Sequence, residues 1–599
     1  LKKIPSRNDI HPSDKWKLEP LFETDLAWDD LYGETEAMLS GYSIHPGRLA
    51  ESAAALREAV EFDLDFSRRL DRLYTYAHLR NDEDKQDQKY SAMIQRAINL
   101  YTRGSEASSF MVPEIQQIPD DRAAAFMNDP ALEQYRFYLE KILRQKPHTL
   151  SKEVEEVLSM TGELAHAPSA IFGELDNADM RFGSLSNGQG EEAELSHANF
   201  IVFLMNSSRE VRKNAFHQYY RAYESHKNTI AATLSASVKK DALFSRVRKH
   251  ESTLGAALFS DNVPAEVYES LIKAVKKNTP KIVRYLELRK KILGLDELRV
   301  YDTYVSLVPD VKIDMPYDEA VDICCAALAP LGDEYVSLLR EGLTGGWVDR
   351  YENTGKRSGA YSSGCYDSPP YILMNYRSDS LNSIYTLIHE AGHSMHSLYA
   401  NRTQPFVYSG YSIFVAEVAS TFNEVLLDMH LAERYSSDPK MTAYIINREI
   451  DDIRATLIRQ TMFAEFELLI HAEAEANRPV TLETITTVYR GLLENYFGGA
   501  LTIDEQLCLE ALRIPHFYNS FYVYKYATGI SAAIALADKV TRGGSEDRDA
   551  YLSFLKTGSS RWPLDQLAAA GVDMRKPEPV DAALERFGML VEKLEGLLT

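Results

Sequence analysis

Cysteine is scarce in this chain: four residues in 599, Cys324, Cys325, Cys365 and Cys508. So few, scattered and without a C-x-x-C pair, they exclude a disulfide framework and argue against a cysteine-based structural zinc site. A core of this size needs no such staples. Long apolar runs are missing as well. None reaches about 18 residues, the minimum for a membrane helix. The opening LKKIPSRNDIHPSDKW carries charge with no apolar stretch behind it, so no signal peptide is expected. Basic charge is also in short supply: 66 Lys and Arg stand against 88 Asp and Glu, for a formal net charge of −22. Nucleic-acid binders carry basic patches, so that class of partner is excluded. The negative field suits cationic or mixed-charge ligands, although its plain role is solubility. The expectation is a soluble, cytoplasmic protein that contacts neither nucleic acid nor membrane.

What the chain has in abundance is helical periodicity. Apolar residues recur at spacings of three and four over 49–80, 91–115, 129–146 and 151–165, then again over 208–248 and 264–294. The pattern breaks twice. Residues 178–196 alternate and are punctuated by Asn187, Gly188 and Gly190, which reads as a small hairpin. Residues 359–380 combine small residues and turns with the apolar run YILMNY (371–376), which reads as a short strand with an exposed edge. The fold class expected is mainly α, with a few short β-strands near 178–196 and 359–376. The division expected is an N-terminal helical lobe, 1–200, and a catalytic region, 201–599.

The chemistry concentrates in LIHEAGHSMHS, residues 387–397. His389 and His393 are four apart, about one helical turn, so both rings leave one face at neighbouring heights. That suits two corners of a tetrahedral zinc. Glu390 follows the first histidine and projects to the side of the metal, where it can take a proton from water without being a ligand. Gly392 leaves the backbone open next to the site, which would let another chain approach closely. The helical context is supplied by Ile384, Leu387, Ile388, Ala391, Met395 and Leu398, with Ser380 placed as an N-cap.

His396 is a tempting third ligand. It stands about 10.5 Å along the helix from His389, too far for three rings to meet one ion easily. Tyr399 also replaces the glycine of the longer H-E-x-x-H-x-x-G-x-x-H pattern. His396 is therefore read as a residue behind the ligands or in the wall of the cleft. A ligand should come from a second helix, 411–433, where Glu417 and Glu424 share a face with Ala416, Ala419 and Ser420 between them. A carboxylate in that setting is costly to bury unless it is paired or bound to metal. Glu417 is taken as the third ligand, and Glu424 as the partner that fixes the tautomer of a ligand histidine. The plain alternative is two solvated glutamates on an amphipathic helix.

RIPHFYNSFYVYKYATG (513–529) gathers His516, Tyr518, Tyr522, Tyr524 and Tyr526. Phenol and imidazole donors set beside a metal would stabilise the oxyanion of amide hydrolysis. A helix using tyrosine for packing reads equally well. His471, in ELLIHAEAEAN, has only a structural reading.

The segments HEAGHSMH and FVAEVASTFNE resemble the thimet-oligopeptidase-like zinc metallopeptidases. YDSPPYILMNY, IPHFYNSFYVYKYATG, ALFSDNVPAEVYESLI and GSSRWPLDQLAAAGVDM are similar to the oligoendopeptidase F branch in particular. The resemblance covers essentially the whole chain. It implies a two-lobed, clam-like helical body with a deep central channel, one Zn2+ per chain, and endopeptidase action on short, unstructured oligopeptides. By motif position it implies His389, His393 and Glu417 as metal ligands and Glu390 as general base. His516 with Tyr518, Tyr522 or Tyr524 would bind the carbonyl and oxyanion. Strand 371–376 would hydrogen-bond an extended peptide. SSGCYD departs from the more glycine-rich loop expected there, so Cys365 is read as an inhibitory or redox-sensitive contact. Two rivals remain: a catalytically silent peptide-binding protein, and a metallocarboxypeptidase or dipeptidase using an arginine such as Arg513 for a free carboxylate.

Overall fold

In the computed structural model, which describes residues 4–186, 188, 191–309, 311 and 313–599, the periodic segments are helices. Helix α1 (Ala53–Glu83) starts at Ser52, whose hydroxyl accepts the Ala55 N–H at 3.1 Å. Its stripe of Leu56, Val60, Phe66, Leu70, Leu73 and Tyr76 is buried, and α2 (Gln88–Ser108) contributes Met93, Ala97 and Leu100 to the same core. Each large side chain so enclosed stabilises the fold by roughly 1.5–3 kcal/mol. The longest helix, α3 (Arg209–Val247), buries Tyr219, Tyr220, Tyr223, Leu234 and Val238.

The segment 264–294 forms two helices, Ala265–Lys277 and Thr279–Ile292, where the periodicity suggested one. Pro280 sits in the first turn of the second helix, where its missing N–H costs nothing, and the break falls at Asn278 just before it.

Strands occur where the helical pattern fails. β1 (Ser184–Ser186) and β2 (Glu192–Glu194) pair antiparallel, Ser184 opposite Glu194. Of the turn residues expected there, Asn187 and Gly190 lie outside the described residues. β3 (Val348–Asp349), β4 (Tyr361–Ser363) and β5 (Tyr371–Leu373) form a second sheet in the order β3-β5-β4. β5 runs parallel to β3 and antiparallel to β4, with Ser362 opposite Ile372. Its three residues are fully buried, and both of its edges are paired. The expectation that strand 371–376 offers an open edge is therefore corrected: the outer strands are β3 and β4.

Contacts divide the residues into two units, each built from three stretches of chain, in place of a single division at residue 200. The first holds 1–147, 312–427 and 536–571; the second holds 148–311, 428–535 and 572–599. Among the described residues no helix is long and apolar enough to cross a membrane.

Candidate metal centre

Helix α4 (Leu381–Thr403) follows β5 closely and carries the histidine motif. Ser380 stands at its N-cap position without a side-chain capping bond; Ser383 Oγ accepts the Arg377 N–H at 3.1 Å instead. The apolar stripe Ile384, Leu387, Ile388, Ala391, Met395 and Leu398 is buried. Helix α5 (Ile413–Arg434) lies directly against α4. A Cβ on Gly392 would stand 2.6 Å from Ser420 Cα and 2.7 Å from the Ala419 carbonyl oxygen, so only glycine permits this approach. The expectation that Gly392 admits another chain is corrected: the neighbour it admits is a helix of the same chain.

That approach brings the three candidate ligands together. His389 Nε2 and His393 Nε2 lie 3.3 and 3.5 Å from one oxygen of Glu417. The three ligand atoms fall within 4.8 Å of one another, the only such group of histidine, cysteine and carboxylate residues among the described residues. A tetrahedron with arms of 2.0–2.1 Å has edges of roughly 3.3–3.4 Å, so the two measured separations suit one small cation. Electrostatics agree. Burial alone would lower the His389 pKa, yet Glu417 and Glu424, with the charge of Glu390, lift it to about 10. The cluster stabilises positive charge at the point where the ring nitrogens and the carboxylate converge. Glu424 accepts from His389 Nδ1 at 3.2 Å, which leaves Nε2 as the ring atom that faces Glu417 and could hold a cation. Ser420 Oγ donates to Glu417 at 3.1 Å.

Glu390 is buried beside this cluster. Its carboxylate accepts the main-chain N–H of Ser362 in β4; burial nevertheless raises its pKa, with the two histidines opposing. Ser362 Oγ meets Ser394 Oγ of α4 at 2.8 Å, tying the outer strand to the ligand helix. Sequence reading missed Ser362, because its contribution to Glu390 is a backbone group that every residue but proline would carry.

His396 does not line an open wall. It is fully enclosed, its ring stacked 3.9 Å from Tyr411 and 5.3 Å from Phe554, and neither ring nitrogen has a hydrogen-bond partner among the described residues. Tyr411 in turn reaches the His393 carbonyl at 3.5 Å, so His396 backs the ligand helix from within the core. Cys365 is likewise buried and its thiol is pushed up to about 11, which removes the thiolate that redox chemistry needs.

The tyrosine-rich stretch lies in the second unit and sorts into two groups. Tyr518 is buried, stacked 4.6 Å from Phe172, with its hydroxyl bound to Thr233 Oγ1 at 2.7 Å. Tyr524 is 1% exposed and packs against Tyr268. Burial removes both from the set of donors that a peptide could reach. His516 is exposed, and Tyr522 and Tyr526 are half-buried. Their rings form a trio, with centroids 6.0 Å apart from His516 to each tyrosine and 5.5 Å between the tyrosines. Phe521, which precedes Tyr522, has φ +59°, a left-handed conformation costing of order 1–3 kcal/mol for such a residue. Arg513 is committed to the buried Glu510 at 3.5 Å, beside Arg459 at 2.6 Å from the same oxygen. A pocket for a free substrate carboxylate is not what Arg513 forms.

Comparison with known proteins agrees with this geometry. The profile of Peptidase family M3 matches residues 202–586, and that of Oligopeptidase F matches residues 114–182. Oligopeptidase PepF of Bacillus subtilis is 45% identical over 596 residues, covering 99% of this chain and 89% of that protein. Group B oligopeptidase PepB of Streptococcus agalactiae is 40% identical, covering 99% and 98%. The crystal structure of oligoendopeptidase-F from Enterococcus faecium superposes with a TM-score of 0.74 at 34% identity, over 96% of this chain and 99% of that one. A helical body whose paired histidines and facing glutamate are set for one cation, and whose likeness to these enzymes runs nearly end to end, belongs to peptidase family M3, in the oligoendopeptidase F branch of metal-dependent oligopeptidases.

Proposed function

We propose that the metal is zinc, held by His389, His393 and Glu417, and that Glu390 is the general base in hydrolysis of internal bonds of short, unstructured peptides. The observation that carries this reading is the pair of separations, 3.3 and 3.5 Å, from two imidazole nitrogens to one carboxylate oxygen. Two nitrogens and one oxygen, with a fourth position left for substrate or water, make the donor set of catalytic zinc sites. When bound, zinc supplies Lewis-acid polarisation of the scissile carbonyl and makes water more acidic.

The remaining work falls to the chain. Glu390 takes a proton from the attacking water as the carbon–oxygen bond forms. It then gives that proton to the amine nitrogen as the carbon–nitrogen bond breaks. A carboxyl whose pKa is raised suits both halves of that transfer. Ser362 N–H fixes the direction from which the carboxylate acts. His516, Tyr522 and Tyr526 donate hydrogen bonds to the carbonyl oxygen as it gains charge. Outer strand β4 offers main-chain groups to an extended peptide. The four cysteines are free and buried, which fits work in the reducing cytoplasm.

The test combines elemental analysis with cleavage of an internally quenched peptide of about ten residues, blocked at both ends and extended enough to fill such a site. One equivalent of zinc, with internal cleavage abolished by chelator and restored by zinc, is the expected result. Stoichiometric zinc without cleavage of the blocked peptide would overturn the endopeptidase reading, and full activity in the absence of zinc would overturn the choice of metal.

A further inference from the structure

Three side chains in the second unit belong neither to the metal centre nor to the aromatic trio: the half-buried Asp241 on α3, and the buried Glu467 and His471 on α6 (Arg459–Glu475). They converge on Ser520 and Phe521, the two residues between the His516 turn and Tyr522. Glu467 is fully enclosed. One of its oxygens accepts the Phe521 N–H at 2.8 Å, and the other has no hydrogen-bond partner among the described residues. Asp241 accepts from Ser520 Oγ at 2.5 Å and stands 3.5 Å from His471 Nε2; its other oxygen is 3.1 Å from Lys240. His471 Nδ1 donates to the Glu467 carbonyl at 2.7 Å, and its ring lies 4.6 Å from that of Phe521.

Two features here are unfavourable by themselves. A carboxyl with one unpartnered oxygen is costly to bury, and a phenylalanine resists the left-handed conformation. Simple packing would be better served by leucine at 467 and glycine at 521. What the arrangement achieves is a sharp reversal after Ser520 that returns Tyr522 and Tyr526 to the ring of His516.

We infer that Glu467 and Asp241 are positioning residues that lock the left-handed turn at Phe521, and so hold His516, Tyr522 and Tyr526 as one preorganised donor set for the peptide carbonyl. The inference rests on the reading of that trio as oxyanion donors. Donors fixed before reaction lower the barrier without reorganising, so release of the clamp acts on turnover and leaves metal binding alone. Glutamine at 467 keeps an oxygen that accepts the Phe521 N–H, whereas leucine does not.

The experiment compares the zinc-loaded parent with Glu467→Leu, Glu467→Gln, Ser520→Ala, His516→Ala and Tyr522→Phe. It measures kcat, KM, metal content and backbone hydrogen exchange across 516–526. Expected is a fall in kcat of about tenfold in E467L and about threefold in S520A, as for donors that lose their alignment. KM and metal content should stay as in the parent, exchange at 520–522 should quicken, and E467Q should behave as the parent. S520A keeps the test decisive if E467L does not fold, because it removes one hydroxyl at the margin of the core. Parental kcat and exchange in S520A and E467L, or an E467Q as impaired as E467L, would overturn the clamp. Parental kcat in both H516A and Y522F would overturn the donor reading, and with it the purpose of the clamp. Loss in those two with full activity in S520A and E467L would overturn the clamp alone.

Discussion

Gly392 and Ser420 are the point where the two ligand-bearing helices touch: a Cβ on the glycine would lie 2.6 Å from the serine Cα. Both atoms that obstruct such a Cβ most closely are backbone, so neither helix can yield by turning a side chain. Gly392→Ala should therefore force α4 and α5 apart at the level of the ligands. The expected loss is about 1–3 kcal/mol in stability, the usual range for overpacking. It should be accompanied by a fall in metal affinity of at least about tenfold, because all three donors must converge. Competition with a chromogenic chelator, together with denaturant unfolding, measures both. Parental affinity in this variant would show that the helices are not held at this point.

Glu424 touches no metal position, yet it fixes which nitrogen His389 presents. Glu424→Ala should weaken metal binding by about 10–100-fold, the range found for partners of ligand histidines. Zinc titration against a competing chelator checks this. An unchanged affinity would return Glu424 to the role of a surface charge.

Glu390→Gln keeps an acceptor for the Ser362 N–H and removes the proposed base. We expect unchanged zinc content and a fall in kcat of about 10²–10⁴-fold, the usual worth of a positioned general base. Steady-state kinetics on the blocked peptide, with metal content measured on the same sample, decide the matter. Turnover near the parent value would require another base.

His396 makes a separate statement about acid stability. Burial, with the charge of His393, lowers its pKa to about 3, while an unfolded histidine titrates near 6.5. Below about pH 6.5 the unfolded chain takes up a proton that the folded ring refuses. Stability therefore falls as pH drops from there toward 3, by up to ~1.4 kcal/mol per unit from this residue. His396→Phe retains a ring against Tyr411 and removes that contribution. Urea unfolding between pH 5 and 7 should show a flatter pH dependence in the variant. An unchanged slope would mean that the ring is solvated.

The parts of this molecule that could be read from the sequence are those whose partners are close along the chain. His389 and His393 are one turn apart, and their chemistry is written in that spacing. Helices such as Arg209–Val247 announce themselves by a repeat that is local. The tyrosines of 518–526 carry no such signal, because neighbouring residues of one type give no sign of which is buried. Tyr518 meets Thr233, 285 residues away, and only the fold decides it. Glu467 and Asp241 are legible for the same reason only in three dimensions: the residues they hold lie 54 and 279 positions distant. Strand 371–373 is visible as a strand, but its neighbours 348–349 and 361–363 are too short to show an alternation of their own, so its closed edges are not.

The anchor of Glu390 is a main-chain donor, and that determines which kinds of genetic change can hurt it. No side chain at position 362 is needed to supply an N–H, so every amino acid except proline preserves the bond. Point mutation at this codon is therefore a weak threat to the base. A one-residue insertion or deletion in the strand is a strong one. It slips the ladder by one step, turns the donor inward to β5, and points the neighbouring residue's face at the carboxylate. Chain length between the strands is what heredity has to guard for this bond, and the letter at 362 matters only for the hydroxyl that meets Ser394.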